Sequence, residues 1–105
     1  MLYNVYAGLG GGFGGATYQG TGDFPNEEQA AQEAYRIARE EYESYEGLHG
    51  ILGFEEVADE NDLDLEEDDD LIRELYEDEV ESWIEYWAVL ADEDEDVTEE
   101  ERCDL

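Results

Sequence analysis

Apolar and polar residues alternate in two short segments near the N-terminus. The segment Leu2 to Ala7 contains two tyrosines and a valine, and Ala16 to Thr21 repeats the alternation after a glycine-rich connection. A period of two with aromatic and β-branched residues is typical of a half-buried strand. The pattern therefore predicts a two-stranded β-hairpin.

Two longer segments carry apolar residues at helical spacing. The first starts at the predicted N-cap Asn26 and is expected to run to about Glu46, stopping at Gly47. Its apolar stripe consists of Ala30, Ala31, Ala34, Tyr35, Ala38, Tyr42 and Tyr45.

The second predicted helix starts at Asp70. Its apolar face consists of Leu71, Ile72, Leu75, Tyr76 and Val80. A short helix is expected between them, from Phe54 to Ala58.

Residues Trp83 to Leu90 fit either a continuation of the second helix or a strand, because they are rich in aromatic and β-branched side chains. We favour a third strand beside the hairpin, since an isolated two-stranded hairpin is only marginally stable in water. The expected fold is a small single α+β domain over residues 1–91, with the hairpin and third strand packed against two main helices. Residues 92–105 are expected to form an acidic tail that is disordered in the free protein.

The charge balance of the chain is extreme. Its 105 residues include 34 Asp and Glu against four Arg and no Lys, and the net charge is −30 at neutral pH. A small domain needs a net charge of only about 2 to 8 in magnitude to stay soluble, so solubility does not account for this excess. Aromatic residues make up 12% of the chain, which is enough to form a core and argues against a wholly disordered acidic protein.

The sequence contains little that supports catalysis or cofactor binding. With one histidine, His49, and one cysteine, Cys103, neither a nucleophile–base pair nor a zinc site can be assembled. The glycines near Phe13 match a dinucleotide-binding spacing, but no helix pattern follows them. The acidic loop of residues 59–70 fails the EF-hand pattern, which requires glycine where Glu67 lies. We therefore expect no enzyme activity, no cofactor and no dedicated metal site.

The chain carries no basic leader and no apolar run of membrane-spanning length. A cytoplasmic protein without an anchor is therefore expected, in the host cytoplasm if it is phage-encoded. Phe13, in the middle of the glycine-rich connection, is predicted to be either a core residue folded onto the sheet or an exposed anchor for a partner. We favour the core position.

Carboxylates dominate the polar face of the second helix and the start of the tail. Carboxylates three and four residues apart on a helix lie about 5 to 6 Å from each other, which is comparable to the spacing of phosphates. Such a ridge is expected to enter a groove lined by Lys and Arg. The candidate partner-binding residues are Asp68, Asp69, Asp70, Glu74, Glu77, Asp78, Glu81, Asp92, Glu93, Asp94, Glu95 and Asp96.

In size and charge, over its whole length, the chain resembles the small acidic DNA-mimic proteins of phages and mobile elements. No aligned motif supports the resemblance, so no residue roles are carried over from that class. The resemblance implies an inhibitor of the anti-CRISPR or anti-restriction type. Its expected partner is the basic surface of a nucleic-acid-binding protein such as a CRISPR effector or restriction enzyme, with no direct contact to nucleic acid or membrane.

Two alternative hypotheses for the acidity stay open. An acidic chaperone or antitoxin would mask a different basic partner and would use the tail from Asp92 as a flexible arm. A protein from a salt-adapted organism would carry the same excess of Asp and Glu as general surface chemistry, without any partner. The uneven charge favours mimicry, because residues 1–25 contain a single charged side chain, Asp23.

Overall fold

A three-stranded antiparallel sheet organises the chain, in a computed structural model that describes residues 1–105. Strands β1 (Leu2–Leu9), β2 (Gly15–Asp23) and β3 (Ile84–Leu90) lie in the order β2-β1-β3. The central strand β1 pairs with β3 from Tyr3–Leu90 to Leu9–Ile84. The predicted hairpin and the predicted third strand are therefore confirmed.

Three helices complete the α+β fold: α1 (Glu27–Ser44), α2 (Phe54–Glu60) and α3 (Asp69–Trp83). The side chain of Asn26 accepts a hydrogen bond from the backbone N–H of Gln29 at 2.9 Å, which confirms the predicted N-cap. Helix α3 passes directly into β3 without a loop. None of the helices has the length and apolar composition that a membrane crossing requires.

The core lies between one face of the sheet and the helices. The buried β1 side chains on this face are Tyr3, Val5, Ala7 and Leu9, and the buried alanines of α1 are Ala30, Ala34 and Ala38. Small alanine side chains let the backbone of α1 approach the sheet closely. Helices α2 and α3 add Val57, Ile72 and Val80 to the core near Leu9. Each fully buried aliphatic side chain of this kind stabilises the fold by about 1.5 to 3 kcal/mol.

The molecule is long because its helices do not all pack on the same part of the sheet. The N-terminal half of α1 packs near Tyr3 and Ala88, whereas α2 and α3 pack near Leu9 and Ile84, at the opposite end of the strands. The backbone consequently extends over 50 × 28 × 17 Å.

Residues 92–105, expected to be a detached tail, return to the sheet in the structure. The N–H of Thr21 donates to the carbonyl of Cys103 at 2.6 Å, and the N–H of Leu105 donates to the carbonyl of Thr21 at 3.2 Å. Val97 is buried, and Arg102 donates to the carbonyl of Ala91 at 2.9 Å. The run of carboxylates gave no sign of these contacts, and the domain boundary at residue 92 stays a prediction. The mobility of the segment in the free protein stays a prediction.

Candidate partner-binding surface

Helix α3 displays a row of carboxylates on the side that faces away from the core. Its buried side is formed by Ile72, Tyr76 and Val80, so the residues half a turn away are directed outwards. We call the following four exposed carboxylates the α3 ridge. They are Asp70, Glu74, Asp78 and Glu81. At 1.5 Å per residue the ridge extends over about 16 Å.

Glu77 is predicted to belong to the same ridge, but the structure gives its carboxylate a partner. Arg39 of α1 donates to both oxygens of Glu77, at 2.6 and 2.5 Å. These hydrogen bonds and the positive charge of Arg39 hold the pKa of Glu77 below its ordinary range. Glu77 therefore joins α1 to α3, and its charge is largely neutralised.

The two other acidic residues at the start of α3 also have local partners. Asp69 lies 3.4 Å from Arg73 in an exposed ion pair one turn along the helix. Asp68 is half-buried, and its carboxylate accepts a hydrogen bond from the N–H of Asp64 at 3.0 Å. Both residues thus contribute to the beginning of α3, and neither belongs to the row of unpaired carboxylates.

A second group of carboxylates follows β3. We call its exposed members, Asp92, Glu93, Glu95 and Asp96, the β3-end cluster. One of them, Asp92, also approaches Arg102 at 3.5 Å, although its side chain is 96% exposed.

Asp94 differs from its neighbours, because its carboxylate is directed towards the sheet. It accepts hydrogen bonds from the side-chain amide of Asn4 at 2.9 Å and from the hydroxyl of Tyr6 at 2.5 Å. Burial opposes its ionisation, but these bonds outweigh that effect and hold the pKa of Asp94 below its ordinary value. Burial and the same carboxylate raise the pKa of Tyr6. Asp94 is therefore an anchor for the segment rather than a free charge.

The two acidic arrays lie at opposite ends of β3. The α3 ridge belongs to the helix that packs near Ile84, and the β3-end cluster begins after Leu90. A seven-residue strand is about 23 Å long, so the arrays are well separated along the molecule. Together they give one elongated anionic body rather than a single acidic patch.

Chemically, this surface offers charge and little else. No group of three or more His, Cys, Asp or Glu side chains is arranged to hold a metal ion. Cys103, the single thiol, is exposed and free.

Comparisons with known proteins add no relative. The chain matches no family model, no curated protein and no solved structure. The resemblance to DNA-mimic proteins in size and charge stays a prediction.

Proposed function

We propose that this protein is an acidic mimic of duplex nucleic acid, of the anti-CRISPR or anti-restriction type. In this proposal it occupies the basic nucleic-acid-binding groove of a defence or DNA-processing protein in the cytoplasm. It acts by occupying that groove, without catalysis.

The observation that carries the proposal is the charge of the protein per unit length. Duplex DNA presents one charge per about 1.7 Å of axis, so 50 Å of duplex holds about 29 phosphates. The protein has a net charge of −30 on a backbone 50 Å long.

The rigidity of the α3 ridge also supports the proposal. Its carboxylates stand on a helix whose opposite side is buried and which the Arg39–Glu77 pair ties to α1. A preorganised charge array loses less conformational entropy on binding than a flexible acidic peptide does. The unpaired state of the ridge leaves its carboxylates free to contact Lys and Arg of a partner.

Inhibition follows from competition for the same basic side chains. Long-range attraction between this protein, with its net charge of −30, and a basic groove accelerates the encounter of the two proteins. Contact then releases the counterions bound to both surfaces. Binding of the inhibitor and of duplex DNA is then mutually exclusive. The affinity should weaken steeply as salt rises, since each contact resembles a phosphate contact.

The test is affinity capture of the tagged protein from a bacterial lysate at about 0.15 M salt, where surface charges interact over about 8 Å. Captured proteins are then challenged with duplex DNA of about 15 base pairs, which matches the protein in total charge. We expect a nucleic-acid-binding protein to be retained and to be displaced by the duplex. Retention that duplex DNA leaves unchanged contradicts mimicry.

Two charge variants separate mimicry from bulk acidity. The ridge variant carries D70N, E74Q, D78N and E81Q. The control variant carries D59N, E60Q, E99Q and E100Q, at four exposed positions outside the ridge. Both lose four negative charges. We expect the ridge variant to lose most of the captured protein and the control variant to keep it. Equal losses in the two variants mean that net charge alone causes capture.

A further inference from the structure

An aromatic pocket lies apart from both acidic arrays, at the β1–β2 connection. Its volume is about 370 Å³, and its lining residues are Gly12, Phe13, Tyr45, His49 and Trp83. The ring centroid of Phe13 lies 4.9 Å from that of Tyr45 and 6.0 Å from that of Trp83. The rings of Phe13 and Trp83 are nearly perpendicular, at 81°. Phe13 and Trp83 therefore meet edge to face and form two walls of the pocket.

Three separate segments bring these rings together. Phe13 is half-buried in a short 3-10 turn that follows β1, and Trp83 is the last residue of α3. His49 is exposed in the turn after α1 and has a left-handed backbone, with φ of 53°. This turn places the imidazole near Phe13, at a centroid distance of 6.1 Å. Phe13 packs against the main core while staying half-buried, which agrees with the favoured core position, and it also forms one wall of the pocket.

Two carboxylates lie beside the pocket, and none of the four arginines lines it. The indole N–H of Trp83 donates to the carboxylate of Glu79 at 3.1 Å. The carboxylate of Glu85 lies against Gly10 and Gly15, the two ends of the connection that carries Phe13. The negative charge favours a cationic ligand and disfavours a phosphate or a carboxylate.

We infer that the aromatic pocket binds the guanidinium group of an arginine on a basic partner protein, an inference that rests on the proposed function. Aromatic faces attract cations through the quadrupole of the ring, most strongly when the site is partly desolvated. Arginine suits this pocket better than lysine, because its planar guanidinium stacks on rings and forms a fork of hydrogen bonds to a carboxylate such as Glu79. A protein whose partner presents Lys and Arg has the complementary charge for this contact.

The experiment uses the intact protein and capped arginine amide as the probe, followed by NMR at the two indole N–H groups. Capped citrulline amide, which is neutral and nearly isosteric, is the control ligand. We expect arginine amide to shift the Trp83 signal saturably and to leave the Trp87 signal unchanged, because Trp87 stacks on Tyr6, away from the pocket. Citrulline amide should give no saturable shift. The absence of a saturable shift with arginine amide, or equal shifts with both compounds, overturns the inference.

Matched variants locate the binding. Phe13→Leu keeps an apolar side chain but removes a ring, and it should weaken binding of arginine amide by about two- to thirtyfold. Trp87→Leu removes the other tryptophan and should leave the affinity unchanged. If Phe13→Leu fails to fold, His49→Gly is used instead, because glycine suits the left-handed backbone at this exposed position. Unchanged affinity in the folded pocket variant contradicts the inference.

Failure of the pocket and failure of the proposed function have different signatures. The titration contains no partner protein, whereas the capture experiment depends on the α3 ridge. If arginine amide binds saturably but no captured protein is displaced by the duplex, the pocket inference is supported and mimicry is contradicted. If the duplex displaces a captured protein but arginine amide does not bind, mimicry is supported and the pocket inference is contradicted.

Discussion

The hydrogen bonds of Asp94 give the clearest prediction for a single residue. Its carboxylate accepts from Asn4 and Tyr6, and hydrogen bonds to a charged group contribute about 1.5 to 3 kcal/mol. We expect Asp94→Ala to lower the free energy of unfolding by an amount in this range at neutral pH. Urea unfolding measures the change. Glu95→Ala is the matched control, because Glu95 is exposed and makes no such bond, and an equal loss in both variants contradicts the anchoring role.

The pH dependence of this effect has a defined sign. The pKa of Asp94 is lower in the folded protein than its ordinary value, so the ionised carboxylate stabilises the fold at neutral pH. This contribution is fully present above the unfolded pKa of about 3.9 and is lost as pH falls through the folded pKa. The difference in stability between the wild type and Asp94→Ala should therefore shrink below about pH 4. A difference that stays constant down to about pH 2 contradicts the ionic contribution.

The raised pKa of Tyr42 leads to a prediction for the stability of the protein at alkaline pH. Burial, reinforced by Glu79 and Glu46, raises the pKa of Tyr42 to about 12, and its hydroxyl donates to the carbonyl of Leu52 at 2.5 Å. The unfolded tyrosine ionises near pH 10. Between about pH 10 and 12 the unfolded state therefore binds fewer protons, and stability falls as pH rises. Urea unfolding across this range should show a smaller loss in Tyr42→Phe than in the wild type.

Many hydrogen-bond partners of single residues cannot be predicted from the pattern of neighbouring residues in the sequence. The spacing around Asn26 predicts its capping role, because cap and helix are neighbours in sequence. The partners of Asp94 and Glu77 are not local. Asp94 bonds to Asn4, 90 residues away, and Glu77 bonds to Arg39, 38 residues away. Helical spacing places Glu77 on an acidic face but does not reveal that an arginine of another helix reaches it.

Between elements, the Arg39–Glu77 pair is the testable link. It is bidentate and half-buried, with side-chain exposures of 25% and 42%. We expect a double-mutant cycle with Arg39→Met and Glu77→Gln to give a coupling energy of about 1 kcal/mol in urea unfolding. Solvent screening makes this energy smaller than that of a fully buried ion pair. The control is Arg36 with Glu40, an exposed pair within α1. Its coupling should be about 0.3 to 0.5 kcal/mol. A larger value for the control pair contradicts the bridging role.

The elements themselves show which patterns can be interpreted from sequence. Alternation predicted β1 and β2, and helical stripes predicted α1 and α3, since each pattern continues over several residues. Residues Ile84–Leu90 fit two structures, and the choice depends on pairing with β1, which is a long-range property. The segment after Asp92 was harder still. Its charge suggested disorder, whereas the structure ties it to the sheet through Asp94 and through backbone hydrogen bonds of Cys103 and Leu105, with Val97 buried and Arg102 bonded to Ala91.

For the whole molecule, the net charge of −30 predicts a salt-dependent stability. Unpaired carboxylates repel one another in the compact state, and their repulsion decreases as the Debye length falls from about 30 Å at 0.01 M salt to about 10 Å at 0.1 M. Because the backbone extends over 50 Å, charges interact along much of its length only at the lower salt concentration. We expect the urea midpoint to rise between about 0.01 and 0.15 M sodium chloride and to change little beyond.

The same four-charge variants distinguish this repulsion from recognition. Stability depends mainly on how many charges repel, so the ridge variant and the control variant should both be more stable than the wild type at low salt, by similar amounts. Capture depends on where the charges lie, so only the ridge variant should lose the partner. A chain that folds only above about 1 M salt, where the Debye length is about 3 Å, would instead support acidity as adaptation to a saline habitat. Folding completed at about 0.15 M, together with unequal capture by the two variants, supports a charge pattern shaped by a partner.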